Sequence, residues 1–123
     1  MNSQRADIMA KLGGKRIVKH AISTDRTQLL LWTRGEEDPV VLTVTGDCCS
    51  ASWIEGLDTP MNLRGTVQRV EDREMPDLGC IPGQYKNTVD VVAYYGLLIV
   101  TDKGHCVVDY RNDSNGYYGG DIE

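Results

Sequence analysis

The chain has 123 residues, 41% hydrophobic and 25% charged, with 13 glycines, 4 prolines and no phenylalanine. That length suits a single domain over residues 1–123 that buries about two-thirds of its extended-chain surface. It is too short for a doubly wound nucleotide fold with a second domain, or for an α/β barrel. The net charge of −5 lacks the basic face that phosphate contacts require, which argues against direct nucleic-acid binding.

In chain order, residues 3–13 read as one short helix. Ser3 or Asp7 caps it, Ile8, Met9 and Leu12 form an apolar stripe, and Gly13-Gly14 stops it. From Lys15 the spacing changes to that of strands. Arg16 to Ile22 is followed by the polar turn Ser23-Thr24-Asp25-Arg26, and Thr27 to Thr33 then carries Leu29, Leu31 and Thr33 on one face with Leu30 and Trp32 on the other. The turn Arg34 to Pro39 leads into Val40 to Thr45, so these three runs predict a β-meander.

The middle is less regular. Asp47 to Glu55 reads as a bent or bulged strand, with Gly46 permitting the kink. Residues 57–65 suggest a turn of helix capped by Asp58 or Thr59, with Pro60 at its first position. Thr66 to Glu71 alternates as a strand, and Glu74 to Thr88 reads as a surface loop, a length often associated with function. Val89 to Val100 is the strongest strand signal. Asp102-Lys103-Gly104 makes a tight hairpin turn, His105 to Tyr110 returns, and Asn112 to Gly116 is a second turn before Tyr117-Tyr118. The expected fold class is α+β, predominantly antiparallel β-sheet with one or two short helices.

No apolar run approaches the roughly 18 residues of a membrane span, and Met1 to Asp7 has no apolar core of a secretory signal. A cytoplasmic location with no membrane contact is expected, with Cys48, Cys49, Cys80 and Cys106 reduced. A zinc site is disfavoured because Cys48-Cys49 and His105-Cys106 are adjacent pairs, and neighbouring strand residues point to opposite faces. Cys49 and Cys106 read instead as small core residues. Nothing in the spacing of His20 or His105 supports a cysteine nucleophile: His20 reads as an ordinary strand residue and His105 as solvent-facing. Gly13-Gly14-Lys15-Arg16 follows a helix rather than preceding one, so it is a helix stop and not a phosphate cradle. Glu36-Glu37-Asp38 and Glu71-Asp72 read as solvated surface. No cofactor or metal is expected.

Two segments stand out. In Asp47 to Glu55, small polar groups surround Trp53; Cys49, Ala51 and Trp53 share one strand face, and Cys48, Ser50, Ser52 and Ile54 the other. The structural reading is an irregular strand that lets another element pack close. The functional reading is a pocket wall in which Asp47, Ser50 and Ser52 hydrogen-bond a ligand and Trp53 stacks on it. In Asp113 to Tyr118, Asn115-Gly116 is a hairpin signal, while Tyr117 and Tyr118 form a platform for a planar ligand with Ser114 and Asn115 as its polar rim.

The pairing of Asp47-Cys48-Cys49-Ser50…Trp53-Ile54 with Ser114-Asn115-Gly116-Tyr117-Tyr118 resembles a family of small phage and prophage proteins of unknown function. In that family an Asp-Cys-Cys-Glu-Ser-like motif precedes an aromatic residue and an isoleucine, and Ser-Asn-Gly-Tyr-Tyr closes the chain. The resemblance extends from Gly14 to Tyr118 and rests on these two motifs. Ser50 stands where the family has an acidic residue, and the 74–88 loop reads as a local elaboration. The resemblance implies no known activity, but it places the chain among small acidic phage proteins, which often inhibit host systems.

The leading expectation is therefore a non-enzymatic binding protein that sequesters a small, nucleotide-derived immune signal, with Arg64 and Arg111 as phosphate partners. A homo-oligomer would help, since so small a domain has little room for a deep pocket. The alternative is a protein–protein inhibitor of a host defence effector such as a nuclease, in the manner of an anti-CRISPR protein, docking through an acidic face or sheet edge. A small hydrolase using Asp47, a cysteine or His105 is third.

Overall fold

Alternating apolar residues in both halves of the chain build two four-stranded antiparallel sheets, preceded by one short helix. The computed structural model describes residues 5–46, 51–74, 91–114 and 120–123. The helix α1 spans Ala6–Leu12. The strands are β1 (Ile17–Ile22), β2 (Gln28–Thr33), β3 (Val40–Gly46), β4 (Ala51–Asp58), β5 (Val67–Glu74), β6 (Val91–Thr101), β7 (Gly104–Ser114) and β8 (Gly120–Ile122). A 3-10 turn, Pro60–Leu63, separates β4 from β5. The first sheet has the order β1-β2-β3-β8 and the second β4-β7-β6-β5. The α+β class dominated by antiparallel sheet holds, and so does the β1-β2-β3 meander.

The core lies where the inner faces of the sheets meet. Leu29 and Leu31 of β2, Leu42 of β3, Ile54 of β4, Leu97 and Ile99 of β6 and Val108 of β7 are completely buried there. The alternation Leu29, Leu31, Thr33 points inward as the sequence predicts, because a strand places every second side chain on one face. Ile8 and Leu12 bury one face of α1 in the same core. Among the described residues, the backbone also joins the sheets at one margin: Arg16 bridges Thr66, and Val67 N donates to Lys15 O at 2.9 Å.

Several expectations are corrected. α1 has Arg5 at its N-cap without a side-chain cap, and Asp7 lies inside the first turn, where it pairs with Arg5; Ser3 lies outside the described residues. The bulge expected within Asp47–Glu55 lies between Ile54 and Gly56 of β4, where Glu55 is the extra residue, while residues 47–50 beside Gly46 lie outside the described residues. Arg26 holds this bulge by donating from Nε to Ile54 O at 2.8 Å and from Nη2 to Glu55 O. Pro60 does open a short helical turn, but Thr59 sits in the left-handed region and gives no side-chain cap.

The turn expected at Asn112 is a continuation of β7. Asn112 is fully buried, and its amide nitrogen donates to Ser52 Oγ on the neighbouring strand at 2.8 Å. Strand β8 was not foreseen: three residues are too few for a periodic signal, yet Ile122 is completely buried and pairs with Val44. The hairpin turn before β7 is as expected. Gly104 takes φ +135°, and a Cβ there would lie 2.8 Å from the Asn62 amide.

Candidate functional site

Two adjacent tyrosines on a strand send their rings to opposite faces, and Tyr94-Tyr95 of β6 do so. Tyr95 points inward and stacks on Tyr110 of β7, with centroids 5.2 Å apart and ring planes 15° apart. Its hydroxyl accepts a hydrogen bond from Gly120 N at 3.2 Å, which fastens β8 against β6. Tyr94 points to the outer face. Tyr94, Tyr95 and Tyr110, together with Gly96, Asp72 and Arg73 of β5, and Gly120-Asp121 of β8, line a cleft of about 350 Å³.

The acidic side of the cleft is organised by one buried cation. Arg5 is 8% exposed and donates from Nη1 to both Asp72 Oδ1 (2.9 Å) and Asp121 Oδ1 (3.0 Å). Its Nε and Nη2 reach the two oxygens of Asp7 at 3.3 Å, and Nη2 also donates to Ile122 O. Burial works against the guanidinium charge, but the hydrogen bonds to Asp7 and Asp72 and the field of Asp121 outweigh it and hold its pKa above the ordinary arginine value. Burial likewise raises the Tyr110 phenol, and the nearby Asp121 and Asp72 add to that effect. The Asp72 and Asp121 side chains remain 46% and 60% exposed. Asp72 is exposed, as the sequence predicts, and it also takes part in this clamp.

On the outer face, Trp53, Arg111 and Tyr94 form one row across β4, β7 and β6. The Arg111 guanidinium lies 4.8 Å from the Tyr94 ring centroid. It is held there by Asp109 at 3.2 Å and Glu55 at 3.5 Å, and Glu55 also accepts from Trp53 Nε1 at 3.1 Å. Burial again opposes the charge, but Asp109 and Glu55 leave the Arg111 pKa raised. This ladder fixes the Tyr94 ring on the outer face.

Of the residues singled out from sequence, Trp53 and Arg111 are brought together, as cross-strand neighbours. Arg111 is committed to two carboxylates, so it does not offer the unpaired charge expected of a phosphate partner. Arg64 is committed elsewhere, donating to Val18 O at 3.1 Å and approaching His20 Nδ1 at 3.5 Å. Burial and the Arg64 charge depress the pKa of His20. Ser52 faces inward, donating to Thr45 O at 3.0 Å while accepting from Asn112, so it ties the two sheets together rather than lining the cleft. Ser114 ends β7. Asp47, Ser50, Asn115, Tyr117 and Tyr118 lie outside the described residues, as do Cys48, Cys49, Cys80 and the 75–90 segment.

Arg73 is the cation that the sequence reading overlooked. It is exposed, lines the cleft, and makes no ion pair among the described residues. The sequence did contain a hint of the cleft: Tyr94-Tyr95-Gly96 interrupts an otherwise aliphatic strand. Cys106 is fully buried, as expected of a core residue, and burial together with the Asp58 charge pushes its thiol up to about 12. Among the described residues no group of three or more His, Cys, Asp or Glu side chains is placed to hold a metal ion. No helix among them is long and apolar enough to cross a membrane.

No curated protein and no solved structure matches the chain. The model of DUF7448, described as a domain of unknown function, matches residues 10–123, a span that includes every cleft residue named above, and the chain belongs to that family.

Proposed function

We propose that this protein captures a small nucleotide-derived ligand in the tyrosine cleft and holds it without converting it. The observation that carries the reading is the composition of the cleft: three tyrosines, two carboxylates fixed by Arg5, and the Arg73 guanidinium, which makes no ion pair among the described residues. Ligand sites of about 300–1,000 Å³ characteristically combine apolar or aromatic walls with a few convergent polar groups. At about 350 Å³ this cleft suits one small molecule. A ring system stacks against the tyrosine walls, and an anionic group pairs with Arg73. Both carboxylates are already engaged by Arg5, which favours binding over proton transfer as their role. Withdrawal of such a ligand from solution is how an inhibitor of a nucleotide-signalled host defence would act, and that is the biological role we attach to the site.

Docking on a host protein through an open sheet edge has less support. Arg64 covers the Val18 carbonyl on β1, and Arg26 covers the Ile54 and Glu55 carbonyls on β4.

Isothermal titration of the full chain with adenosine monophosphate, its nucleoside and ADP-ribose tests the proposal. Saturable binding is expected, weakened about tenfold by Arg73→Ala, the loss of one charge-assisted contact. Tyr94→Ala is expected to weaken it further. Absence of binding to all three ligands would overturn the proposal.

A further inference from the structure

The outer faces of the two sheets differ in charge. On the second sheet, Arg69 and Glu71 of β5 and Asp109 and Arg111 of β7 point outward, the pattern of a solvated face. On the first, the register sets Lys19 beside Trp32, Ala21 beside Leu30, and Leu30 beside Val41. These side chains alternate with the buried Leu29, Leu31 and Leu42, so they point away from the core. Ala21, Leu30, Trp32 and Val41 are each partly exposed and form one apolar block across β1, β2 and β3. Among the described residues, Lys19 is the one charged side chain on the outward positions of these strands. The helix α1 and the second sheet pack against the inner face, and no described helix or strand lies over the outer one.

Aromatic and aliphatic side chains with little charge make the composition of an interface core. The charges at the margins of this block indicate what covers it. On the β1 side, the Lys19 ammonium lies 4.7 Å from the Trp32 ring centroid. On the β3 side, at the same end of the sheet, the turn from Arg34 to Pro39 carries Glu36, Glu37 and Asp38, all exposed. Lys19 and these three carboxylates make no ion pair among the described residues. A two-fold axis along β2 lays the β1 side of one copy over the β3 side of another, at the same height. Lys19 of each copy then meets the acidic turn of the other, and Leu30 meets its own counterpart. Sheets aligned within about 30° pack face to face about 10 Å apart, a gap that lysine and glutamate side chains span together.

We propose that the outer face of the first sheet is the interface of a symmetric dimer of this chain. Ala21, Leu30, Trp32 and Val41 form its apolar centre, and two reciprocal contacts between Lys19 and the acidic turn form its rim. No cleft-lining residue belongs to β1, β2 or β3, so the dimer leaves both clefts open and is independent of the proposed ligand.

Sedimentation of the full chain over a concentration series tests this. The mass is expected to rise from 13.7 kDa to twice that value as concentration increases, and Leu30→Lys is expected to hold the chain as monomer. Lys19→Glu, and separately the triple variant Glu36→Lys, Glu37→Lys, Asp38→Lys, are each expected to weaken self-association about tenfold, the effect of turning two exposed ion pairs into repulsion. Mixed in equal amounts, these two charge variants are expected to pair with each other as tightly as the wild type pairs with itself, because each reversed lysine site then faces a reversed turn. Every variant is checked for an unchanged circular dichroism spectrum; the charge variants carry the test if Leu30→Lys fails to fold. A wild-type chain that stays monomeric at its highest soluble concentration would overturn the proposal and leave this face to a different partner or to water. A dimer left intact by Lys19→Glu and Leu30→Lys, or charge variants that do not restore each other on mixing, would also overturn it.

Discussion

Replacing Arg5 by methionine removes the cation that joins α1, β5 and β8. The guanidinium makes five hydrogen bonds, four to Asp7, Asp72 and Asp121 and one to the Ile122 carbonyl. A net contribution of about 1.5–3 kcal/mol for each hydrogen bond to a charged group cannot simply be multiplied. The three carboxylates are 46–60% exposed, so water replaces much of what they lose. The methionine stem still fills the space of the arginine stem, but the Ile122 carbonyl loses its side-chain donor. A loss of about 2–3 kcal/mol follows, between the values for an exposed ion pair and a broken buried one. At about 3–6 °C per kcal/mol for a domain of this length, Tm falls by about 6–18 °C. Urea denaturation read by circular dichroism, with unchanged m-values, measures the difference. A loss under about 0.5 kcal/mol would refute the clamp and reduce Arg5 to an ordinary surface ion pair.

The same clamp fixes a pH dependence. Hydrogen bonding and charge from Arg5 hold the Asp7 carboxyl below its ordinary value. A carboxyl depressed in the folded state stabilises the fold above its unfolded value of about 3.9 and ceases to do so as pH falls through the folded value. Stability of the wild type is therefore expected to drop below about pH 4 more steeply than that of Arg5→Met, and parallel acid limbs would contradict this. Ser52→Ala leaves the buried Asn112 amide without its hydroxyl partner and frees the Thr45 carbonyl; a cost of about 1–3 kcal/mol is expected in chemical denaturation, and a neutral result would mean that the two sheets are not joined there. Cys106, whose thiol is pushed up to about 12, is expected to resist alkylation at neutral pH until the chain unfolds. Peptide mapping after iodoacetamide treatment checks this, and rapid labelling of Cys106 in the native protein would refute its burial.

Much of the sheet structure was legible because its signals are local. Leu29, Leu31 and Thr33 alternate, Val91 to Val100 is long and β-branched, and Gly104 supplies the backbone freedom that its turn needs. What escaped depends on contacts between distant segments. Asn112 looks like a turn residue until Ser52, sixty positions away, supplies its partner. Gly120-Asp121-Ile122 is too short to announce a strand without β3 beside it. Arg64 and Arg111 were sound choices as cations, but residue type alone cannot reveal that Val18, Asp109 and Glu55 already occupy them. Tyr94 and Tyr95 read as ordinary strand residues, and only the contacts of Tyr95 with Tyr110 and Gly120 turn that strand into the wall of a cleft.

Titration of isotopically labelled protein with adenosine monophosphate, followed by backbone amide chemical shifts, tests the tyrosine cleft as the binding site most directly. Saturable shifts are expected at Arg73, Tyr94 to Gly96, and Gly120-Asp121, with Val18, His20 and Arg64 unmoved. No shifts, or shifts centred on Arg64 and β1, would contradict the assignment.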